Sequence, residues 1–353
     1  MVTSPSCVTF SWPTAGAARN RISPVKSGLR TVLVACTNCG SREASPIAHG
    51  CDREYPTTSS DVFTVVQCAR CGLHYLNPRP DVSELDVIYP ANYHAYNIRR
   101  AGDSAPSRVT RLRHWIYSRR FRRPLQYLAS LPRIDVLDVG CGDGWMLDLY
   151  RAADPERIVT YGVDFNEDAC KVARSSGHTI YCSRFEQLDL PERFELVNLS
   201  HVIEHVADPP EFIRKIWSVL RPNGIFVVET PNTDTLDWRL FRQGAWGAYH
   251  IPRHWTFYDP RSIRRLGDSA GFRLRELRFH PAPVHWVWTG HNVSFGRRGV
   301  LSAVGRRLFA PLDVFGGGPK ALLLLGLFTF FDVALYVTTG RTSNMMAVFQ
   351  KEV

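Results

Sequence analysis

Lysine is scarce in this chain. Only Lys26, Lys171, Lys215, Lys320 and Lys351 occur among 353 residues, so the net charge of +10 is almost wholly arginine. Such a balance does not by itself select a nucleic-acid partner. The first 30 residues carry serine, proline, glycine and arginine but lack the apolar core of about 7–15 residues that an export signal requires. They read as a disordered leader, and the cytoplasm is the expected compartment. No internal repeat is present, which excludes solenoids and propellers. No apolar run reaches the ~20 residues that span a bilayer. Ala321 to Val337 comes nearest, but it holds Asp332 near its middle, where hydrocarbon penalises a charge. A buried or interfacial helix is expected there.

The apolar fraction of 44% supports a substantial core, and the length suits one large domain with a smaller one. Arginines cluster at 108, 111, 113, 119, 120, 122 and 123, with Leu112, Trp115, Ile116 and Phe121 interleaved. This segment reads either as a solvated helix or as a surface for anionic headgroups or a phosphorylated substrate.

The most informative stretch is Ile134-Asp-Val-Leu-Asp-Val-Gly-Cys-Gly-Asp-Gly-Trp145. An apolar strand ends in Asp138, and then Gly140, Gly142 and Gly144 alternate around Cys141 before a helix begins. Glycines allow the backbone to pass against a ligand where a Cβ would collide. A second strand, Ile158 to Val163, ends in Asp164, the spacing of an acid on ribose hydroxyls. The turn is not the Gly-x-Gly-x-x-Gly of dinucleotide sites. Asp138 would hold an amino group and repel a pyrophosphate. A ligand with a ribose, a cationic amino-acid end and no phosphate fits, and that ligand is S-adenosylmethionine.

At these residues the chain resembles the class I S-adenosylmethionine-dependent methyltransferases. The resemblance continues through Phe194 to Pro209, Leu220 to Asn232 and His250 to Pro260, the last being similar to the type 11, 12 or 23 branch. It implies an α/β fold: a Rossmann-like seven-stranded sheet with helices on both faces. The last strand is expected near 345–350, after a mostly helical, apolar insertion at about 281–342. It also implies cofactor contacts from Phe165 on the adenine face, from Phe185 in the segment after the third strand, and from Ser200.

Four of nine cysteines form two Cys-x-x-Cys-Gly knuckles, Cys36/Cys39 and Cys68/Cys71. Two residues between sulfurs let both reach one tetrahedral ion, and the glycine permits the tight turn. Structural zinc is expected, in a ribbon spanning 31–100 with its following helix. The methyltransferase domain is expected over 108–353. The ribbon joined to Asn77-Pro-Arg-Pro80 is similar to methyltransferases of sugar and cell-surface polysaccharide pathways.

His201-Val-Ile-Glu204-His205 follows the fourth strand. It matches the His-x-x-Glu-His pattern of inverted zinc peptidases, but those motifs lie within a helix and not beside a cofactor loop. Ligands bind at strand carboxyl ends in open α/β sheets. If the segment is helical, His201, Glu204 and His205 share one face. They read as a general base or acceptor contact, as a metal site, or as a structural turn. His250 and His254, with Arg253 and Trp255, form a second group, either a lid over the acceptor or a packed loop. The expected reaction is methyl transfer to a small-molecule, sugar or lipid-linked acceptor, with oxygen the expected atom, in cell-envelope or secondary-metabolite biosynthesis. Peripheral contact with the inner face of the membrane is a further expectation. Rival readings are an RNA methyltransferase gripping nucleic acid with its ribbon, and a non-catalytic cofactor-binding module.

Overall fold

The computed structural model describes residues 28–352 apart from 56–58, 91–92, 94–107, 192, 296–299 and 312–317. The expected leader, and the stretch between the two expected domains, fall almost wholly outside the described residues.

The chain begins with β1 (Thr31–Val32), β2 (Ala44–Gly50), β3 (Phe63–Cys68), β4 (His74–Leu76) and β5 (Arg79–Pro80), then a single turn, α1 (Leu85–Ile88). β2, β3 and β4 form an antiparallel meander, and β1 pairs with β5. After α2 (Arg108–Arg122) come β6 (Ile134–Val139), α3 (Trp145–Ala153), β7 (Ile158–Asp164), α4 (Glu167–Ser175) and β8 (Thr179–Cys182). The second half runs β9 (Phe194–Ser200), α5 (Pro209–Val219), β10 (Leu220–Pro231), α6 (Leu236–Phe241), β11 (Thr256–Phe257), α7 (Pro260–Ser269) and β12 (Phe272–His280). Three helices follow, α8 (Pro283–Phe295), α9 (Val300–Leu308) and α10 (Pro319–Thr339), before β13 (Asn344–Lys351) closes the fold.

The main sheet has seven strands in the order β12-β13-β10-β9-β6-β7-β8, with β13 antiparallel to both neighbours. β6 is buried at all six positions, as a central parallel strand covered on both faces must be. Successive residues alternate between two cores. Val136, Leu196, Val227 and Val348 pack with Phe121, Met146 and Tyr150. Leu137, Val197, Val228 and Phe349 face Phe212, Ile216, Ile263 and Leu266. Asp-Pro pairs start two helices. Asp208 accepts from the Glu211 N–H at 3.0 Å ahead of Pro209, and Asp259 forms a capping box with Ser262 ahead of Pro260.

The ribbon is not a separate appendage. β11, far along the sequence, joins its sheet in the order β11-β4-β3-β2, pairing Thr256 with Tyr75 and Phe257 with His74. Phe63, Val65 and Leu76 then share a core with Trp238, Trp246, Tyr249 and Trp255. A boundary drawn at 100–108 therefore divides this sheet, with β11 on the far side of it.

The insertion corrects one expectation. α10 has 21 residues, longer than the apolar run alone, because Pro319 opens it and Gly340 at φ 71° closes it. Its length and hydropathy suffice to cross a membrane, and only 17% of its apolar window is buried. The buried-helix reading fails. Ala321, Leu324 and Asp332 are the buried residues of α10, and the Asp332 carboxylate accepts from the Ala282 N–H at 2.6 Å and Trp286 Nε1–H at 2.8 Å.

Candidate active site

The carboxyl ends of β6, β7, β9 and β10 converge where the strand order reverses, between β6 and β9. Gly140, Gly142 and Gly144 adopt φ values of 77°, 51° and 83°. A Cβ on Gly140 would lie 2.5 Å from Val202 Cγ2, so the turn is open only to glycine. Asp164, 8% exposed, pins it: the Gly142 N–H donates to Oδ2 and the Asn166 N–H to Oδ1, each at 2.9 Å.

Asp138 is buried beneath the turn and accepts from Asn198 Nδ2 at 2.7 Å, while Tyr150 Oη donates to Asn198 Oδ1 at 3.1 Å. Burial pushes the Asp138 carboxyl up to about 7, against the Asn198 hydrogen bond and with the Asp164 charge adding to it. An ammonium group placed here would favour the ionised form. The site thus fits the amino-acid end of S-adenosylmethionine. Phe165 is 48% exposed, with its ring edge-on to Tyr89 at 6.2 Å. Cys141 and Phe185 differ. The Cys141 thiol is buried against Gly162, and the Phe185 ring packs on Phe212 in the core. For both, only the backbone is left to meet a cofactor. Ser200 Oγ lies 3.5 Å from Glu229 Oε2.

Glu229 is a centre that sequence reasoning missed. It is 1% exposed near the end of β10 and pairs with Arg120 of α2, His201 and Asn344. The available signal was an acid inside an otherwise apolar strand. Burial opposes its charge, but Arg120 and His201 outweigh it and hold Glu229 well below the usual carboxylate range. The basic segment is correspondingly less free than expected. Arg120 turns inward, Arg122 donates to the Ala153 carbonyl at 2.7 Å, and Arg123 pairs with Glu276 at 3.0 Å.

The His-x-x-Glu-His segment is not one helical face. His201 sits in the left-handed region at φ 55°, and only Ile203–His205 forms a short 3-10 turn. His201 Nδ1 lies 3.2 Å from Glu204 Oε1 and Nε2 lies 3.4 Å from Glu229 Oε1. Burial works against its charge, yet the hydrogen bonds to Glu204 and Glu229 prevail and raise it to about 10. An imidazole already protonated at neutral pH cannot accept a proton, so His201 is a paired cation there and not a base.

His205 points the other way. Its Nδ1 lies 3.0 Å from the Arg253 carbonyl and 2.8 Å from Tyr89 Oη. A carbonyl only accepts, so Nδ1 carries the proton and Nε2 keeps its lone pair. Burial lowers the pKa of His205 and keeps the ring neutral. His254 is arranged alike, with Nδ1 donating to the Ala248 carbonyl at 2.9 Å and burial holding it well below the ordinary value. Ligand atoms of Glu204, His205 and His254 all lie within 4.8 Å of one another.

The 250–255 segment is packed, which removes the lid reading. Arg253 is fully buried, bonded to Asp52 through Nη2 and 3.4 Å from Glu54. His250, at φ 40°, pairs with Glu54. Burial and then the Arg253 charge push it down to about 3, so it donates to Glu54 as a neutral imidazole.

Among the described residues, a second ligand cluster joins Cys36, Cys39, Cys68 and Cys71, with their sulfurs within 4.8 Å of one another. The trailing glycines do what the knuckle spacing required: Gly40 and Gly72 take φ 72° and 78°. Four thiols at this separation fit a closed tetrahedral zinc site.

A family model described as a methyltransferase domain matches residues 112–277. The ubiquinone biosynthesis O-methyltransferase of Rhodopseudomonas palustris (strain HaA2) is 31% identical over 185 residues, covering 48% of this chain and 71% of that protein. Its counterpart in Azorhizobium caulinodans is 31% identical over 213 residues, covering 56% and 79%. Among solved structures, a SAM-dependent methyltransferase from Archaeoglobus fulgidus is 20% identical, with a TM-score of 0.42 over 67% of this chain and 94% of that one. With relatives of this identity and coverage, the chain belongs to the class I S-adenosylmethionine-dependent methyltransferases.

Proposed function

We propose that this enzyme methylates an oxygen of a small-molecule, sugar or lipid-linked acceptor, in cell-envelope or secondary-metabolite biosynthesis. The observation that carries this reading is His205: a neutral imidazole on the turn after β9, its Nδ1 proton fixed on the Arg253 carbonyl, which leaves the lone pair on Nε2. Bound S-adenosylmethionine supplies a methyl group already activated on a sulfonium sulfur. The protein's task is then to place the acceptor in line and to take its hydroxyl proton. Nε2 of His205 performs the second part. The relatives named as O-methyltransferases support oxygen as the atom.

The family match at 112–277 includes neither the cysteine knuckles nor α8 to α10. Acceptor choice is therefore assigned to these additions, and zinc at the four cysteines would stabilise the ribbon without entering the chemistry. An RNA acceptor is disfavoured, because Arg120, Arg122 and Arg123 have partners within the chain. The exposed apolar side of α10 supports peripheral contact with the inner face of a membrane.

One observation favours a second role for the same turn. His205 and His254 each donate Nδ1–H to a carbonyl, the outer-shell arrangement that readies Nε2 for a metal, and Glu204 completes three donors. A divalent ion there would polarise the acceptor hydroxyl.

The test is a label-partition assay with methyl-labelled S-adenosylmethionine, a fractionated host extract and an Asp164→Ala control. Label in the sugar-nucleotide or lipid fraction, lost in the control, is expected. Ribonuclease-sensitive label would overturn the reading.

A further inference from the structure

α8 lines two spaces. Trp288 and Asn292 border the polar pocket beside Glu54 and His250. One step around the helix, Trp286, Gly290 and Val293 line a second cavity of about 360 Å3, bounded by Phe241 of α6, Phe309 after α9 and Phe328 of α10. That volume falls within the roughly 300–1,000 Å3 of small-molecule sites. Gly290 lets the Phe309 ring close one wall tightly against α8, since a Cβ there would meet that ring at 2.8 Å.

Three hydroxyls also border the cavity, and each is satisfied by the backbone. Thr289 Oγ1 donates to the His285 carbonyl at 2.8 Å, Ser294 Oγ to the Gly290 carbonyl at 2.8 Å, and Ser302 Oγ to the Ser294 carbonyl at 2.6 Å. Thr289 Oγ1 also accepts from the Gly247 N–H at 2.8 Å, and Ser302 Oγ accepts from Arg306. The remaining surface is hydrocarbon and aromatic ring. A space with so few polar partners holds water poorly and takes an apolar ligand instead.

The apolar character continues outward along α10, where Leu323, Phe330 and Val337 are 73%, 71% and 78% exposed. The one carboxylate of that helix is turned inward, onto the start of α8. The other charged side chain of α10, Lys320, lies in its first turn and donates to the Arg307 carbonyl.

Resting on the acceptor reading above, we propose that this cavity holds the hydrocarbon chain of an amphiphilic acceptor, whose head group reaches the polar side of α8. The acceptor class is then lipid-linked and not a free sugar.

The test titrates the full chain with dansyl-labelled undecanoic acid and follows fluorescence. Saturable binding is expected, displaced by dodecyl glucoside and not by glucose. Val293→Trp, which fills the cavity, should weaken the probe roughly tenfold or more. S-adenosylhomocysteine affinity, measured by calorimetry, should be unchanged in the same variant. Should the tryptophan not fold, Val293→Leu intrudes less and should give a smaller loss in the same direction. Probe binding that is absent from wild type, or equal in the cavity variants, overturns the proposal. Displacement by phosphatidylglycerol vesicles as readily as by dodecyl glucoside assigns the cavity to bulk membrane lipid and also overturns it. Failure of the methyltransferase reading would be distinct, appearing as lost S-adenosylhomocysteine binding in wild type.

Discussion

The backbone N–H of Trp255 donates to the Glu204 carbonyl at 2.7 Å. The Trp255 carbonyl accepts in turn from the Leu76 N–H at 2.9 Å. A strand of the ribbon and the candidate catalytic turn are thus joined through one residue. Beside it, the Arg253 carbonyl fixes His205, while the Arg253 guanidinium is anchored on Asp52 of the ribbon. The ribbon therefore positions the turn as well as covering it.

Asp52→Asn removes one charge of a fully buried pair and leaves Arg253 only the longer contact to Glu54 at 3.4 Å. Breaking such a pair costs about 3–5 kcal/mol. The urea midpoint should fall accordingly, with an unchanged slope. Activity should fall beyond the folded fraction, because the Arg253 carbonyl no longer fixes the His205 proton. Turnover that tracks the folded fraction alone would confine Asp52 to a structural role.

His205→Ala should lower kcat by about 10²–10⁴-fold. S-adenosylhomocysteine binding should persist, since His205 makes none of the contacts at the glycine turn. A base must be deprotonated to act. Burial lowers the His205 pKa, so kcat/KM in wild type should stay flat through neutral pH and drop only below the ordinary imidazole value of about 6.5. A drop centred above neutrality would point to another base.

The sheet was legible because its signals are local. The apolar run ending at Asp138 and the alternating glycines each dictate their own backbone, and the knuckle glycines at 40 and 72 do the same. What escaped depends on partners distant in sequence. Glu229 draws its role from Arg120 and Asn344, and Arg253 from Asp52, at separations of 109, 115 and 201 residues. No window of sequence contains those pairs. The face shared by His201, Glu204 and His205 was misread for a related reason. The left-handed turn at His201 sends its ring towards Glu229, away from His205.

His201 makes stability depend on pH in a stated direction. Its folded pKa is raised to about 10. The stabilisation is fully present below the unfolded value of about 6.5 and is lost as pH rises through the folded one. Wild type should therefore become less stable from pH ~6.5 to about 10. His201→Gln should flatten that slope. Denaturant midpoints across the range give the comparison, and parallel curves would count against the His201 ion pairs.

Gly140→Ala places a methyl group 2.5 Å from Val202 in a backbone region that alanine resists. Strain of about 1–3 kcal/mol is expected there. S-adenosylhomocysteine should bind about tenfold or more weakly in calorimetry, the equivalent of at least ~1.4 kcal/mol. Gly318→Ala, with nothing within 4 Å of the new Cβ, is the matched control and should bind normally.

The two hydrogen bonds through Trp255 also bear on the metal at the knuckles. One zinc per chain is expected by elemental analysis, and Cys68→Ser should remove it. Cys68 closes β3, β3 pairs with β4, and β4 holds both β11 and Trp255. Melting of the ribbon should therefore reach Glu204 and His205, abolishing methyl transfer without any change at the glycine turn. S-adenosylhomocysteine binding in the same variant separates this from global unfolding, because Asp138, Asp164 and their partners lie wholly in the main sheet and its loops. Retained cofactor binding with lost transfer would mark the zinc as a structural support of the acceptor side. Retained transfer would mean that the catalytic turn holds its shape without the ribbon.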